Sequence, residues 1–180
     1  MLALIAYFIW MLRSEITSHK VFLLGMCMAL LGDIALLSTA ESAFLIGLVS
    51  FLMTQILYGY TFFRERQIGI HKHLLPIAVV SLYLIASLIY MIPKAGDMTA
   101  AVVIYSVSIS AMLLFSIMRW KVKGYHSVVI GAACFIISDT MLALNKFTNI
   151  SIDLGVILML TYILAQYYIV TGYIKSIVLT

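Results

Sequence analysis

Apolar residues fall in long blocks along this chain, separated by short polar stretches. Seven blocks stand out, at approximately 1–12, 20–38, 43–63, 74–92, 98–118, 125–144 and 154–174. Most reach the ~20 residues that a helix needs to cross a hydrocarbon core of ~30 Å. The first is short for a span. Pro76 falls in the first turn of the fourth block, where a missing N–H costs little, and Pro93 is expected to close that helix. The linkers are tight, so successive helices should pack antiparallel. The pattern predicts an all-α polytopic integral membrane bundle of about seven helices, forming a single transmembrane domain over residues 1–180.

Composition agrees. Apolar residues make up 64% of the chain and charged residues 10%, against ~25% charged in a soluble domain. Mean hydropathy is +1.15. So few charges cannot cover a surface that faces water. The net charge of +4 reads as topology rather than as nucleic-acid binding, because the cations lie between the apolar blocks. Arg13, Lys20, Arg64, Arg66, Lys72, Arg119, Lys121, Lys123 and Lys175 fall on one side, and only Lys94 and Lys146 on the other. The positive-inside rule then places the C-terminus in the cytoplasm and residue 1 outside, in the plasma membrane of a bacterium. The runs Arg64 to His73 and Arg119 to Lys123 read as orientation signals near anionic headgroups. Cys27 and Cys134 lie inside apolar blocks and read as buried small residues rather than a disulfide framework. The first block lacks a basic leader and a small-residue cleavage site, so no signal peptide is expected.

A weak internal repeat runs through the pattern. The second block reads Gly25-x6-Gly32-Asp33 and the sixth Gly131-x6-Ser138-Asp139. Each is followed by a block with a mid-membrane glutamine, Gln55 and Gln166. This suggests two parallel three-helix units, helices one to three and five to seven, joined by helix four.

Asp33 and Asp139 carry the candidate chemistry. A carboxylate within a spanning helix costs ~2.5–3.5 kcal/mol on insertion scales, so it usually faces the bundle interior and has a use there. Both lie beyond the middle of helices that run the same way, which sets them at similar depth in the outer half of the membrane. Gly25 and Ala29 share a face with Asp33, and Gly131, Cys134 and Ser138 lie beside Asp139. Small residues allow close helix approach, so these faces point the aspartates inward. Further polar groups share that interior: Gln55 and Tyr58 with Gly47 and Phe51 on helix three, Tyr105 and Ser108 on helix five, and Asn145 at the end of helix six. Tyr162 and Gln166 share a face of helix seven with Gly155 and Met159. Each alone reads more simply as a structural hydrogen-bonding group; with two carboxyls they make a polar pocket.

His19, His71, His73 and His126 all lie in or beside the basic-side loops, away from the depth of the aspartates, so neither a metal site nor a cofactor is expected. No G-x-S-x-G and no Cys–His pair lies at membrane depth, which leaves a nucleophilic triad unsupported.

The stretch Leu31-Gly32-Asp33-Ile34-Ala35-Leu36-Leu37, followed by Phe44-Leu45-Ile46-Gly47 and Gln55-Ile56-Leu57-Tyr58, resembles the first signature of the YhhN-like membrane proteins, which include the lysoplasmalogenases. The second signature resembles Gly131 through Ser138-Asp139, Leu142-Ala143, Asn145, Phe147, Thr161-Tyr162 and Ala165-Gln166, and Tyr105 and Met112 fit the helix between. The resemblance covers nearly the whole chain. Two departures stand out. Members usually carry histidine where this chain has Gln55, and usually have eight helices, the chain beginning here in what resembles the second.

The resemblance implies hydrolysis of the vinyl ether bond of a lysoplasmalogen, a lysophospholipid held in the membrane, to a fatty aldehyde and glycerophospho-ethanolamine or -choline. Such a bond is hydrolysed by protonation at its outer alkene carbon, water attack on the resulting oxocarbenium ion, and collapse of the hemiacetal. The site needs one carboxylic acid and one carboxylate. Two carboxyls close together in low dielectric divide those roles, because burial and mutual repulsion disfavour two charges at once. Glycosidases meet a similar cation in the same way. On this reading Asp33 and Asp139 are the pair, Gln55, Tyr58, Tyr105, Tyr162 and Gln166 orient water and the glycerol hydroxyl, and Asn145 meets the headgroup. The competing readings are a small transporter that uses the aspartates for protons or solute, and a lipid-binding protein without turnover.

Overall fold

A computed structural model describes residues 1–13, 15–67, 74–148 and 155–179. His71, Lys72 and His73 of the basic loop lie outside the described residues. Among the described residues seven α-helices follow one another: α1 (Leu2–Met11), α2 (Lys20–Ala35, entered through a 3-10 turn at Ile16–His19), α3 (Glu41–Arg64), α4 (Leu74–Ala95), α5 (Thr99–Ile117), α6 (Tyr125–Phe147) and α7 (Gly155–Val178). The chain is an all-α polytopic membrane bundle. α1, at ten residues, rises only ~15 Å and is too short to cross a bilayer alone.

The longest apolar stretch, Leu74–Ile117, has 44 residues, about twice what a bilayer accommodates. It folds back at Gly96, whose φ of +53° favours glycine. Met91, Ala95 and Val102 bury against one another behind that turn, which pins α4 antiparallel to α5. Pro93 does not close α4, contrary to expectation; the helix runs on to Ala95. A proline in the last turn forfeits one backbone bond and leaves the helix below it intact, so the stop belongs to Gly96.

The long helices are inside-out relative to a water-soluble protein. Leu31, Ile34, Ile46, Val49, Met53 and Ile56 face outward, while Thr54, Gln55, Ser110, Ser116, Ser138 and Gln166 are buried. That is the arrangement expected when the surrounding solvent is hydrocarbon and polar groups must pair inside.

The helices close into a ring. α2 packs on α3 and α6 on α7; α3 lies beside α5 and α7 beside α1; α1 touches α2 and α5 touches α6. α4 stands outside, packed on α5 and more lightly on α6. Each contact of the first three helices thus has a counterpart among the last three, the pattern a parallel repeat produces. The glycines hold the equivalent joints. A Cβ on Gly25 would lie 2.8 Å from the Tyr58 ring of α3, and one on Gly131 would lie 2.7 Å from the Ile169 nitrogen of α7.

The two ends of the ring differ. At the basic end Phe22 stacks on Tyr58 and Tyr173, with ring centroids 4.6 and 4.0 Å away, and Phe8 and Phe62 fill the remaining space. Arg119 is wholly buried there. Its Nε and Nη2 donate to Glu65 Oε2 at 2.8 and 2.5 Å. Sequence placed Arg119 among headgroup-facing cations; its actual place is inside, closing the ring. Three further expectations change. Cys27 is exposed rather than buried, and Cys134 is half-buried. Met159 faces outward, so it does not belong to the interior stripe of α7.

Candidate active site

Both aspartates owe their direction to the residue before them. On α6, Gly131 and Ser138 face α7, with Ser138 Oγ donating to the Leu158 carbonyl at 3.2 Å. Asp139 follows ~100° further round the helix and reaches α3 and α5. On α2, Gly32 faces α3, where an added Cβ would meet the Phe51 ring at 2.8 Å. Asp33, one residue on, turns toward Tyr162 of α7. From the start of their helices the two aspartates lie ~20 Å along the axis, which gives them matching depth.

Their surroundings differ. Asp139 Oδ2 accepts hydrogen bonds from Tyr105 Oη at 2.5 Å and from Gln55 Nε2 at 3.0 Å. Both donors are buried. Among the described residues Asp139 Oδ1 makes no hydrogen bond. The side chain forms part of the wall of a cleft of about 60 Å³ between α3, α4, α5 and α6. The cleft begins among Phe44, Met91, Val102 and Phe147 at the Lys94/Lys146 end and stops at Asp139, Tyr105, Tyr83 and Ile109. Tyr83 and Thr140 share a hydrogen bond of 2.7 Å in its wall.

Asp33 stands near the end of the shorter α2, its side chain 27% exposed and 3.8 Å from the amine of Met1. Its side-chain neighbour is Tyr162, whose buried hydroxyl is directed at Asp33 and lies within electrostatic reach of Asp139, yet has no hydrogen bond of ordinary geometry. The Tyr162 ring is held edge-on by Phe51 and Phe135, at 5.7 and 6.0 Å. Tyr162 is thus a neighbour common to both acids, in contact with Asp33 and within electrostatic reach of Asp139.

The other expected site residues divide. Gln55 and Tyr105 join Asp139. Tyr58 donates to Gln166 Oε1 at 3.1 Å in the sealed interior, forming a second polar pair. Asn145 is exposed and does not line the cleft. Ser108 faces a groove between α3 and α5, on the other side of α5 from the cleft. Gln55 Oε1, Gln166 Nε2 and the Tyr162 hydroxyl are buried without a hydrogen-bond partner among the described residues. Sequence reasoning missed the contribution of α4. Tyr83 and Ser87, spaced i, i+4, both line the cleft with Ser106 of α5; that polar stripe in an otherwise apolar helix was the available signal. Among the described residues no three His, Cys, Asp or Glu side chains gather as metal ligands would.

Comparison with characterised proteins gives no match to a curated protein and none to a solved structure. The YhhN family model, however, aligns with residues 1–173, which include both aspartate signatures, the first six helices and most of α7, and the chain belongs to the YhhN family.

Proposed function

We propose that this protein hydrolyses the vinyl ether bond of lysoplasmalogens, releasing a fatty aldehyde and glycerophospho-ethanolamine or -choline. The observation that carries this reading is Asp139 at the end of a largely apolar cleft, with one carboxyl oxygen engaged by two donors and the other without a partner among the described residues. A carboxylic acid presents that pattern when Oδ2 is its carbonyl oxygen and Oδ1 carries the proton. Family membership supports the reaction class.

In this mechanism Oδ1 delivers its proton to the outer alkene carbon, and positive charge develops on the inner carbon and the ether oxygen. The new carboxylate keeps its two donors, Tyr105 and Gln55, which stabilise the charge it acquires. Water adds to the oxocarbenium carbon and returns a proton to Asp139. The hemiacetal then collapses to aldehyde and the glycerol hydroxyl. Gln55 stands where the family usually has histidine. It keeps the hydrogen bond to the acid but cannot carry a proton, so the proton resides on Asp139.

Asp33 acts through Tyr162, whose hydroxyl it orients. Buried polar atoms are almost always hydrogen-bonded. The Tyr162 hydroxyl and Gln55 Oε1 are therefore the groups that would hold the attacking water. A cleft of about 60 Å³ admits the reacting C=C–O atoms but not a whole lipid; the alkenyl chain lies among the apolar side chains and the bilayer beyond. The opposite end is closed by Arg119 and its aromatic neighbours, an arrangement that favours a one-ended active site over a solute pathway. In the bacterial plasma membrane, with the C-terminus cytoplasmic, substrate arrives from the outer leaflet.

The test is mass spectrometry of products from purified protein offered alkenyl, alkyl and acyl lysophospholipids, beside Asp139→Asn. Aldehyde from the alkenyl lipid alone, lost in the variant, is the expected result. Release of fatty acid from the acyl lipid, or flux across vesicles without cleavage, would redirect the assignment.

A further inference from the structure

We infer that Lys146 binds the phosphodiester of the lysolipid substrate at the mouth of the cleft and so sets the register that brings the vinyl ether to Asp139. This rests on the substrate class proposed above, but the site itself is read from the cleft's own geometry.

Lys146 lies seven residues after Asp139 on α6. Seven residues are two turns, so both residues share a face, ~10 Å apart along the axis. Helical side chains lean back toward the N-terminus, which brings the ammonium closer to the aspartate. The Lys146 Nζ sits 4.7 Å from the centroid of Phe44, and Phe44 lines the cleft mouth together with Phe147, the residue after Lys146. Among the described residues Lys146 has no carboxylate partner.

Lys94, the other lysine at this end, is differently engaged. Its Nζ donates to the Tyr90 carbonyl at 3.0 Å and lies 3.3 Å over the Tyr90 ring, so it caps its own helix. Among the described side chains Lys146 is thus the cation that remains for an anion at the cleft. An anion cannot advance far past it, because the cleft walls, apolar but for Tyr83, Ser87, Ser106 and Thr140, give no further cation and the cleft ends on a carboxyl. A ligand with a phosphate at one end and an apolar chain at the other fits this polarity. In a lysoplasmalogen the phosphorus lies five bonds from the vinyl ether oxygen, a reach of the same order as the ~10 Å rise of the two helical turns between Lys146 and Asp139.

The test separates binding from turnover. Wild type, Lys146→Gln, Lys146→Arg and Lys94→Gln are placed in nanodiscs, and affinity is measured for two uncleavable ligands. One is a saturated 1-alkyl lysophosphoethanolamine and the other a 1-alkylglycerol with the same chain. Lys146→Gln should weaken the phosphate-bearing ligand about tenfold, the scale of one charge-assisted contact, and leave the alkylglycerol within about twofold. Lys146→Arg should restore the affinity, and Lys94→Gln should leave it unchanged. Excess inorganic phosphate should displace little ligand, since it lacks the chain; full displacement would make this a site for free phosphate and overturn the substrate assignment. Unchanged affinity in Lys146→Gln, or equal losses for both ligands, would also overturn the inference. Binding that depends on Lys146 in a protein that releases no aldehyde would uphold the phosphate site and reject only the vinyl ether reaction.

Discussion

The α2–α3 and α6–α7 pairs are built alike and equipped differently. Each has a glycine joint, a Gly-Asp or Ser-Asp step at the same depth, and a buried glutamine on the following helix. Yet the glutamines reach in different directions. Gln55 crosses to Asp139 of the other unit, while Gln166 accepts from Tyr58 and leaves Asp33 facing Tyr162. Asp139 consequently has two donors on one oxygen and its side chain in the wall of a cleft, whereas Asp33 has a tyrosine at imperfect geometry. The difference teaches that a repeated scaffold does not imply repeated roles. Symmetry places two acids at one depth, and the cross-unit glutamine, together with Tyr105, engages only one of them, the one to which the proposed mechanism gives the chemistry.

That selection can be broken most severely at Asp139. Asp139→Asn should lower kcat for lysoplasmalogen by ~10³-fold or more, the scale of a lost general acid, while the protein remains monodisperse in detergent. Equal losses in Asp139→Asn and Asp33→Asn would restore equivalence and refute the comparison. Next come the donors. Tyr105→Phe and Gln55→Leu should each cost ~10²-fold in kcat with little change in KM, and Gln55→His should retain activity because it keeps a donor to Oδ2.

Asp33→Asn and Tyr162→Phe should each cost ~10-fold. Because one is argued to act through the other, the double variant should be no slower than either single one; multiplicative losses in that cycle would place them in separate roles. The smallest effect concerns the joints. Gly131→Ala pushes a methyl against backbone of α7 and should cost ~1–3 kcal/mol of stability, as overpacking does. Gly25→Ala meets side-chain atoms of Tyr58 and Leu57 rather than backbone, so its thermal midpoint should fall less. A larger fall for Gly25→Ala would show that the two joints are not the equivalents described.

Much of the fold was legible in the hydrophobic blocks, since the length of an apolar run and its polar breaks are fixed by the bilayer. The aspartates and their depth were legible for the same reason. What could not be read was the rotation of each helix. Lipid tails are as apolar as a leucine-lined core, so hydropathy does not distinguish a lipid-facing side from an interior one. Met159 was therefore assigned inward and faces out, Cys27 likewise, and α4 was taken for a linker although Tyr83 and Ser87 wall the cleft. Where small or polar residues marked the face, as with Gly47, Phe51 and Gln55, the reading and the structure agree. Arg119 escaped because positive charge at a helix end reads as an orientation signal, and only tertiary packing reveals the Glu65 carboxylate that meets it.

The central claim is that Asp139 protonates carbon, and isotope incorporation tests it most directly. Purified protein in D₂O, given an alkenyl lysophospholipid, should release an aldehyde carrying one deuterium on the carbon next to the carbonyl, trapped by immediate borohydride reduction. The protonation step creates that C–D bond, and Asp139→Asn should abolish it. An aldehyde without that deuterium, or no aldehyde at all from protein that still binds the lipid, would contradict the account.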